Sequence, residues 1–421
     1  MKKLYILIYL ISLAGFQKLQ AQTFTTVSGD PLTNLTTTSY GQAWGDFNND
    51  GWIDVYVANL SDNNLLFTND GTGNFLDGII MPTASFGSQS YGGSWGDYDN
   101  DGDLDLYGAE RGGMNRLYIN DGTGNFTYPS YPPITTDFGI SVSTSCIDFN
   151  NDGLLDLSVA NFGSSQVNNL YRNDGGNTFT NVYPGTGGFD QSLAWSDYDN
   201  DGFMELFIAR NNNTSNLLFD NDGTGLTQVT GSATTADVSS SYSASWADYD
   251  NDGDFDLFVT NSGTDATSVN QLYRNDGGGN FTKITTGDIV NDIGNSRGSD
   301  WGDYDNDGWI DLYVTNRNQN FLYRNNGDGT FTRITSGDIV NLLSNSYSCS
   351  WNDINNDGFL DLYVITDHSS TGNALFLNNT NENHYLNVRL VGTASNASAI
   401  GAKVRVKANI NGTSFWQIRE V

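Results

Sequence analysis

Several residue types are scarce in this chain, and each scarcity excludes a class of protein. The 421 residues include only two cysteines, two histidines and six prolines. Disulfide-rich scaffolds need more cysteine, and the two cysteines and two histidines show no zinc-site spacing. Lys and Arg together number 18 against 49 Asp and Glu, so the formal net charge is −31. This negative potential argues against nucleic acid and anionic membrane as partners.

Glutamate is scarce as well, because only Glu110, Glu205, Glu382 and Glu420 are present. Asp therefore supplies nearly all of the negative charge. Asp is common in turns and is a good ligand for hard cations. A merely soluble acidic surface would show scattered acids with Glu well represented, whereas the acids here are clustered and in register.

A long apolar run occurs only at the N-terminus, where Lys2 and Lys3 precede residues 4–16 and the polar stretch QKLQAQ. The run is too short to span a membrane comfortably, and a cleavage after Ala21 fits a secretory signal. We predict a signal peptide at residues 1–21 and a secreted protein, extracellular or at the cell surface.

A nine-residue Asp-rich loop occurs seven times without gaps. The copies, numbered loops 1 to 7, are DFNNDGWID (46–54), DYDNDGDLD (97–105), DFNNDGLLD (148–156), DYDNDGFME (197–205), DYDNDGDFD (248–256), DYDNDGWID (303–311) and DINNDGFLD (353–361). A period of about 50 residues is typical of propeller-type arrays, not of the short nonapeptide β-roll.

Each repeat also carries four strand-like segments, called a to d. Segment a precedes the loop and usually contains Trp, as in AWGD (43–46), and segment b is an apolar run such as IDVYVAN (53–59). Segment c leads into a glycine turn such as NDGTGNF (69–75), and segment d begins with Phe-Thr, as in FTKIT (281–285). The pattern predicts antiparallel four-stranded units. The predicted fold is an all-β, seven-bladed β-propeller over residues 22–383.

Ring closure is also predicted by the sequence. Repeat 7 lacks the Phe-Thr segment, whereas TFTTVSG (23–29) matches TFTRITSG (330–337). We therefore expect strand 23–29 to close blade 7, which removes an exposed sheet edge. Cys146 and Cys349 would then lie on opposite sides of the ring, so we expect unpaired, buried thiols rather than a disulfide.

The loop pattern D-x-[DN]-x-D-G-x-x-[DE] predicts a calcium site. Side-chain oxygens occur at positions 1, 3, 5 and 9, position 7 offers its carbonyl, and Gly at position 6 permits the sharp turn. Hard oxygen donors favour Ca²⁺ over Zn²⁺ or Cu²⁺, and Mg²⁺ requires a stricter octahedron. The predicted ligands for up to seven structural Ca²⁺ ions are Asp46, Asn48, Asp50, Trp52, Asp54, Asp97, Asp99, Asp101, Asp103, Asp105, Asp148, Asn150, Asp152, Leu154, Asp156, Asp197, Asp199, Asp201, Phe203, Glu205, Asp248, Asp250, Asp252, Asp254, Asp256, Asp303, Asp305, Asp307, Trp309, Asp311, Asp353, Asn355, Asp357, Phe359 and Asp361.

Two other interpretations of the loops compete with calcium binding. Simple Asx turns would explain the bends, but a turn alone does not require a spaced set of acids. An EF-hand needs Glu at position 12, where this chain has apolar or small residues such as Val57 and Gly108. Loops 1, 3 and 7 carry Asn at position 3, and loop 4 ends in Glu205. We therefore expect loops 2, 5 and 6 to bind most strongly.

At these residues the chain resembles the FG-GAP/VCBS repeat family, which includes the integrin α-subunit propeller. The family motif DxDxDGxxD is matched at 97–105, 248–256 and 303–311, and the resemblance extends over about 23–383. It implies a propeller with structural Ca²⁺ and, commonly, adhesion or ligand binding outside the cell.

Residues 384–421 resemble the start of an ASPIC/UnbV domain, as in cartilage acidic protein. We expect strands in NVRL (387–390) and KVRVKA (403–408), because polar and apolar residues alternate there. The resemblance implies a partial β module that is incomplete at Val421.

Antiparallel order places the a–b loops and c–d turns on one face, and the b–c and d–a connections on the other. The b–c segments differ between repeats: SDNN, ERGGMN, NFGSSQVNN, RNNNTSN, NSGTDATSVNQ, NRNQN and TDHSSTGN. Variable loops on a rigid scaffold often recognise partners. The hypothesis is a glycan or protein ligand on this second face, with solvent-exposed loops of no function as the open alternative.

The alternative function is a calcium-dependent polysaccharide lyase or hydrolase. No catalytic residue is predicted, because His368 and His384 are isolated and no Ser-His-Asp or zinc spacing occurs. Glu110, Arg111 and Arg116 form the nearest charged cluster, and we expect them to be ordinary loop charges. We expect the repeated Trp to pack between blades rather than to stack on sugars.

Overall fold

The computed structural model describes residues 23–35, 37–60, 62–81, 89–183, 185, 187–263, 268–367, 372–379, 383–388, 390, 392, 396, 398–410 and 413–420. The predicted signal peptide at 1–21 lies outside the described residues. Helix in the described part is limited to the short segments Ala233–Thr235, Asp288–Asn291 and Asp338–Val340. None of these helices is long and apolar enough to cross a membrane. The chain is all-β, as predicted.

The strands follow the repeats in chain order. The first half contains β1 (Phe24–Thr26), β2 (Ser39–Gly45), β3 (Asp54–Asn59), β4 (Asn64–Phe67), β5 (Ile79–Met81), β6 (Gln89–Gly96), β7 (Asp105–Met114), β8 (Arg116–Asn120), β9 (Phe126–Thr127), β10 (Phe138–Ile147), β11 (Asp156–Val167), β12 (Asn169–Asn173), β13 (Phe179–Asn181), β14 (Gly187–Ser196), β15 (Glu205–Arg210), β16 (Thr214–Ser215), β17 (Leu217–Asn221) and β18 (Leu226–Gln228).

The second half contains β19 (Val238–Ser239), β20 (Ser241–Ala247), β21 (Asp256–Asn261), β22 (Gln271–Asn275), β23 (Phe281–Ile284), β24 (Ser296–Gly302), β25 (Asp311–Asn316), β26 (Phe321–Asn325), β27 (Phe331–Ile334), β28 (Ser346–Asn352), β29 (Asp361–Thr366), β30 (Ala374–Asn378), β31 (Lys403–Ile410) and β32 (Thr413–Glu420). Each b strand begins at position 9 of its loop, so the loop is the a–b connection in every repeat.

Repeats 1, 5, 6 and 7 each form a four-stranded antiparallel sheet. These sheets have the orders β2-β3-β4-β5, β20-β21-β22-β23, β24-β25-β26-β27 and β28-β29-β30-β1. Repeats 2 to 4 join in one twelve-stranded sheet, because β7 pairs with β10 and β11 pairs with β14. In repeat 7 the fourth strand is the N-terminal β1, with Thr25 opposite Leu377.

The core lies along the b strands and between neighbouring repeats. All six residues of β3, β21, β25 and β29 are buried, which explains their continuous apolar sequences. The a-strand Trp stacks on the ring at position 2 of the preceding loop. Trp301 lies 6.5 Å from Tyr249 with an interplanar angle of 10°, and Trp351 lies 5.9 Å from Tyr304 at 11°. The predicted packing role of Trp is confirmed for these pairs.

An Asn at the end of each c strand joins neighbouring repeats. The Asn325 side chain donates to the carbonyl of Ile310 in its own repeat (3.1 Å) and to that of Tyr249 in the preceding repeat (2.8 Å). Equivalent pairs of bonds are made by Asn69, Asn120, Asn173, Asn221, Asn275 and Asn378. Asn69 reaches the Ile354 carbonyl at 2.8 Å, so the series connects repeat 1 to repeat 7.

The two cysteines are unpaired, as predicted. Cys146 lies in β10, where it is partly buried, and Cys349 lies in β28, where it is buried. Both are in a strands, and burial raises the pKa of each thiol well above its usual value. They act as small apolar residues in the packing between repeats.

Replacing Asn325 with Ala tests the contribution of the c-strand Asn to stability. The change leaves two buried carbonyls without donors, at about 1–3 kcal/mol for each group. We expect the urea midpoint of unfolding to fall accordingly. Asn326→Ala is the matched control, because Asn326 is exposed in the adjoining turn. Equal midpoints for the two variants would contradict this role.

Candidate metal centres

The seven loops share a compact backbone conformation. In loop 2 the Asp97 carboxylate accepts the backbone N–H of Asp101 on Oδ1 and that of Gly102 on Oδ2, both at 3.0 Å. Position 4 has a left-handed φ of 52–64° and is Asn in all seven loops. Position 6 has φ of 88–100°, which explains the requirement for Gly. The carboxylates at positions 1 and 3 come together in loops 2, 4, 5 and 6, joined by position 5 in loop 2 and by position 9 in the other three.

The carboxylate at position 9 anchors the loop to the sheet. Asp105 accepts the N–H of Tyr98 on Oδ2 (3.0 Å) and that of Asn120, at the end of the c strand, on Oδ1 (2.9 Å). Burial, together with the neighbouring acids of the loop, raises the pKa of the position 9 group: to about 7 in Asp54, Asp105 and Asp361, about 8 in Asp156 and about 10 in Glu205. Position 9 thus carries a carboxyl that resists ionisation without a nearby cation.

In four loops, carboxylate oxygens from three residues lie within 4.8 Å of one another. The clusters are Asp97, Asp99 and Asp101; Asp197, Asp199 and Glu205; Asp248, Asp250 and Asp256; and Asp303, Asp305 and Asp311. Loops 2, 5 and 6 were expected to be the strongest sites, and the structure adds loop 4. In loop 4 the Glu205 carboxylate lies with those of Asp197 and Asp199. Loops 1, 3 and 7 have Asn at position 3 and form smaller acid sets.

A further observation also favours a bound cation in these loops. Buried carboxylate oxygens without a hydrogen-bond partner occur in the loops at Asp54 Oδ2, Asp197 Oδ1, Glu205 Oε1 and Asp250 Oδ1. A buried polar atom without a partner is costly, and a cation within the loop would satisfy it. Since all donors are oxygens, the site suits a hard cation rather than Zn²⁺ or Cu²⁺.

Two loops also contact a basic side chain that the sequence pattern did not reveal. In loop 6, Arg324 Nε lies 2.7 Å from Asp305 Oδ2, and Arg324 also pairs with Asp307. In loop 4, Lys403 Nζ lies 2.9 Å from Asp197 Oδ2. Asp305 and Asp307, both predicted ligands, are therefore engaged by Arg324 in this structure. The positive charges of Arg324 and Lys403 partly neutralise the carboxylates of loops 6 and 4, which would otherwise repel one another.

Position 4 has a role that sequence reasoning missed. The Asn side chain at this position donates to the next loop, as from Asn151 to the Gly202 carbonyl (2.8 Å) and from Asn306 to the Gly358 carbonyl (3.0 Å). The remaining loop-to-loop bonds run from Asn49 to Asp103, Asn100 to Gly153, Asn200 to Asp254, Asn251 to Gly308 and Asn356 to Gly51. The last of these connects loop 7 to loop 1. The sequence signal for this role is that position 4 is Asn in every copy of the loop.

The C-terminal segment contacts the same face as the acidic loops. β31 and β32 form a hairpin, which confirms the strand predicted at 403–408. Phe415 lies 5.0 Å from Trp309, and the Gln417 side chain donates to the Gly308 carbonyl. The strand predicted at 387–390 is wrong for its described residues, which have no strand pairing. Asn387 instead donates to Asp353 of loop 7 at 3.4 Å, so this backbone follows the loop rather than a partner strand.

The three charged residues singled out in repeat 2, Glu110, Arg111 and Arg116, contact different partners in the structure. Glu110 is buried and accepts from Ser90 Oγ at 2.8 Å, whereas Arg111 donates to the Tyr91 hydroxyl at 2.8 Å. Arg116 lies over the ring of Tyr128 at 4.7 Å. His384 is exposed, and His368 lies outside the described residues.

The family model of the FG-GAP-like repeat matches this chain six times, at residues 46–108, 97–159, 148–208, 197–259, 248–314 and 303–364. Each match begins at position 1 of a loop and ends in the b strand of the following repeat. Because the matches together span most of its length, the chain belongs to the FG-GAP-like repeat family. No curated protein matches the chain.

Solved structures of propeller-like fold resemble this one. An Agrocybe aegerita lectin that recognises non-reducing terminal N-acetylglucosamine has 17% identity and a TM-score of 0.52, over 77% of this chain and 88% of its own. YCF48 bound to a D1 peptide has 12% identity and a TM-score of 0.55, over 85% and 96% of the two chains. BBS1N in complex with ARL6DN has 11% identity and a TM-score of 0.54, over 87% and 99%. Identities this low show the fold alone.

The raised carboxyl pKa values predict a pH dependence of stability in the absence of metal. The unfolded groups titrate near 3.8 and the folded Asp54, Asp105 and Asp361 near 7. Between these values the folded state holds protons that the unfolded state releases, so stability falls as pH rises from about 4 to about 7. We expect a lower urea midpoint at pH 8 than at pH 5 in chelator. A higher midpoint at pH 8 would contradict the burial argument.

Proposed function

We propose that this protein is a secreted calcium-binding propeller that recognises a glycan or protein partner outside the cell. The observation that carries the proposal is the segregation of the two faces. The acidic loops all lie at the a–b connections, and loops 1, 4 and 5 have buried carboxylate oxygens without a hydrogen-bond partner. The b–c connections at the opposite strand ends vary between repeats and remain free to specify a ligand.

We propose a ring of seven blades. The hydrogen bonds from Asn356 in loop 7 to Gly51 in loop 1, and from Asn69 in repeat 1 to Ile354 in repeat 7, support this count. The pairing of β1 with β30 supports closure within the last sheet. A closed ring leaves few free sheet edges, which favours a soluble array.

Calcium is the proposed cation for these loops. When bound, the ion would supply positive charge and satisfy the oxygens at positions 1, 3, 5 and 9, together with the position 7 carbonyl. The chain itself already orders the loop, because position 1 accepts two amides and position 9 joins two strands. Extracellular sites of this kind bind at about 10⁻⁴–10⁻³ M, which suits a protein exported by the predicted signal at 1–21.

Two further considerations support recognition at the b–c face. The C-terminal segment, which we propose to be the start of an ASPIC/UnbV-type module at 384–421, contacts the acidic-loop face through Phe415, Gln417 and Lys403. This leaves the b–c face as the open side. The solved propellers of similar fold include a lectin and two proteins bound to a peptide or a protein, and these binding roles agree with recognition rather than catalysis.

Metal binding is tested by thermal unfolding of chelator-treated protein titrated with Ca²⁺, Mg²⁺ and Zn²⁺. Calcium at about 100 times its Kd would stabilise the folded state by about 2.7 kcal/mol for each site, so the melting temperature should rise most with Ca²⁺. Asp252→Asn in loop 5 should reduce the bound calcium by about one ion, because position 5 is Asp in every loop and the change removes one hard anionic ligand. Asp276→Asn, at an exposed turn, is the control. No response to Ca²⁺ would refute the assignment.

Recognition is tested on a glycan and extracellular-protein array with and without Ca²⁺. The segment predicted as the b–c loop of repeat 3 is largely strand, since β11 extends to Val167. We expect a partner that is lost when Gly-Ser sequences replace residues 164–165, at the exposed far end of β11, and residues 212–213, in the b–c connection of repeat 4, because these segments would contact it. The same replacement at 175–177, in a c–d turn, should preserve binding. The reverse pattern would show that the assignment of the faces is wrong.

A further inference from the structure

Aromatic and basic side chains from several repeats meet at the centre of the b–c face. Tyr40 stacks on Tyr347 with ring centroids 4.1 Å apart and lies 4.5 Å from Tyr91. Arg297 lies over Tyr242 at 4.7 Å and over Tyr347 at 4.4 Å. These five residues occupy equivalent positions near the start of the a strand in repeats 1, 2, 5, 6 and 7. The a strands therefore surround a common axis.

A cavity of about 270 Å³ lies beside this cluster. Its lining comes from repeats 2 to 6 and includes Arg111, Arg297, Arg317, Tyr91 and Tyr242. Arg317 directly follows β25, and Asn211, also in the lining, directly follows β15. The cavity is therefore at the b–c end of the strands, away from the acidic loops. We call it the arginine pocket.

The arginine pocket is cationic in a chain of net charge −31. Three of its lining residues are arginines and none is an acid. Within the described residues, no ion pair joins Arg111, Arg297 or Arg317 to a carboxylate. Three guanidinium groups without a carboxylate partner in one pocket of such an acidic chain indicate an anionic ligand.

Arg297 is the most constrained of the three arginines. Only 5% of the residue is exposed, its Nη1 donates to the Tyr242 hydroxyl at 2.8 Å, and its buried Nε has no hydrogen-bond partner. A buried donor without an acceptor is costly. Arg111 is held similarly by the Tyr91 hydroxyl at 2.8 Å. The tyrosines thus fix two guanidinium groups and leave donors available to an incoming oxyanion.

The remaining lining suits a sugar ring. Tyr faces stack against pyranose C–H groups, and the side chains of Gln191, Asn211 and Ser262 offer donors and acceptors for hydroxyls. The volume of about 270 Å³ lies just below the range of drug-sized ligand pockets, about 300–1,000 Å³, and so fits a ligand no larger than a single sugar unit. A planar carboxylate pairs with a planar guanidinium through two parallel bonds.

We propose that the arginine pocket binds the carboxylate of a hexuronate unit at the end of an acidic glycan. This proposal rests on the recognition function proposed above and names its substrate class. The carboxylate pairs with Arg111, Arg297 and Arg317, while the sugar ring lies against Tyr91 and Tyr242.

The test is calorimetric titration of the full chain in Ca²⁺ with methyl glucuronide, methyl glucoside and inorganic sulfate. We expect methyl glucuronide to bind at least about tenfold more tightly than either other probe, the effect of about one charge-assisted bond. Arg111→Gln and Arg317→Gln should each weaken methyl glucuronide by about tenfold. Both residues are exposed, so the unfolding midpoint should stay unchanged. Arg116→Gln, on β8 outside the pocket, is the matched control and should bind as the unaltered chain does.

Several results would overturn the proposal. Equal binding of glucoside and glucuronide would remove the role of the carboxylate, and equal binding of sulfate would indicate a free anion rather than a sugar. Tighter binding of a peptide with a free C-terminal carboxylate than of its amide, without glucuronide binding, would indicate a protein ligand. A neutral array partner on the b–c face with no glucuronide binding would refute this proposal while preserving the recognition function.

Discussion

The burial of neighbouring carboxylates in the seven loops is the constraint on which the rest of the structure depends. The residue at position 9 is the first residue of the b strand. Its carboxylate accepts hydrogen bonds from two backbone amides, one at position 2 and one at the end of the c strand, as Asp105 does. It cannot be removed without loosening both strands. It also cannot ionise readily, since burial and the adjacent acids raise its pKa. The loop therefore favours a proton or a cation, and at neutral pH the divalent cation that we propose would offset the repulsion among all its acids together.

The second structural device is the asparagine side chain, which carries the contacts between repeats. The Asn at the end of the c strand satisfies carbonyls of two repeats, and the Asn at position 4 reaches the next loop. These bonds hold adjacent loops in fixed relation. The opposite face has a different chemistry, with tyrosine rings around Arg297. Under the proposed function, the metal sites and the recognition site lie at opposite ends of the strands.

The sequence predicted the features that follow from local pattern. The loop spacing, the a to d strands, the closing strand at 23–29 and the packing of Trp301 and Trp351 all depend on residues within one repeat or on its periodicity. The features that were missed arise between segments. Arg324 reaches loop 6 from β26, and Lys403 reaches loop 4 from β31. The nine-residue loop pattern includes neither residue. Position 4 was treated as variable, although Asn in every copy marked its role. The arginine pocket could not be foreseen, because its residues come from different repeats.

A crystal structure of the protein grown in calcium, with anomalous scattering and a chelated comparison crystal, tests the central claim most directly. The account predicts an ion between positions 1, 3, 5 and 9 of the loops, with the buried oxygens of Asp250 and Glu205 coordinated. In loop 6 it predicts that Arg324 moves away from Asp307 to admit the ion. Loops that hold only water in calcium, with Arg324 and Lys403 still paired to their acids, would contradict it.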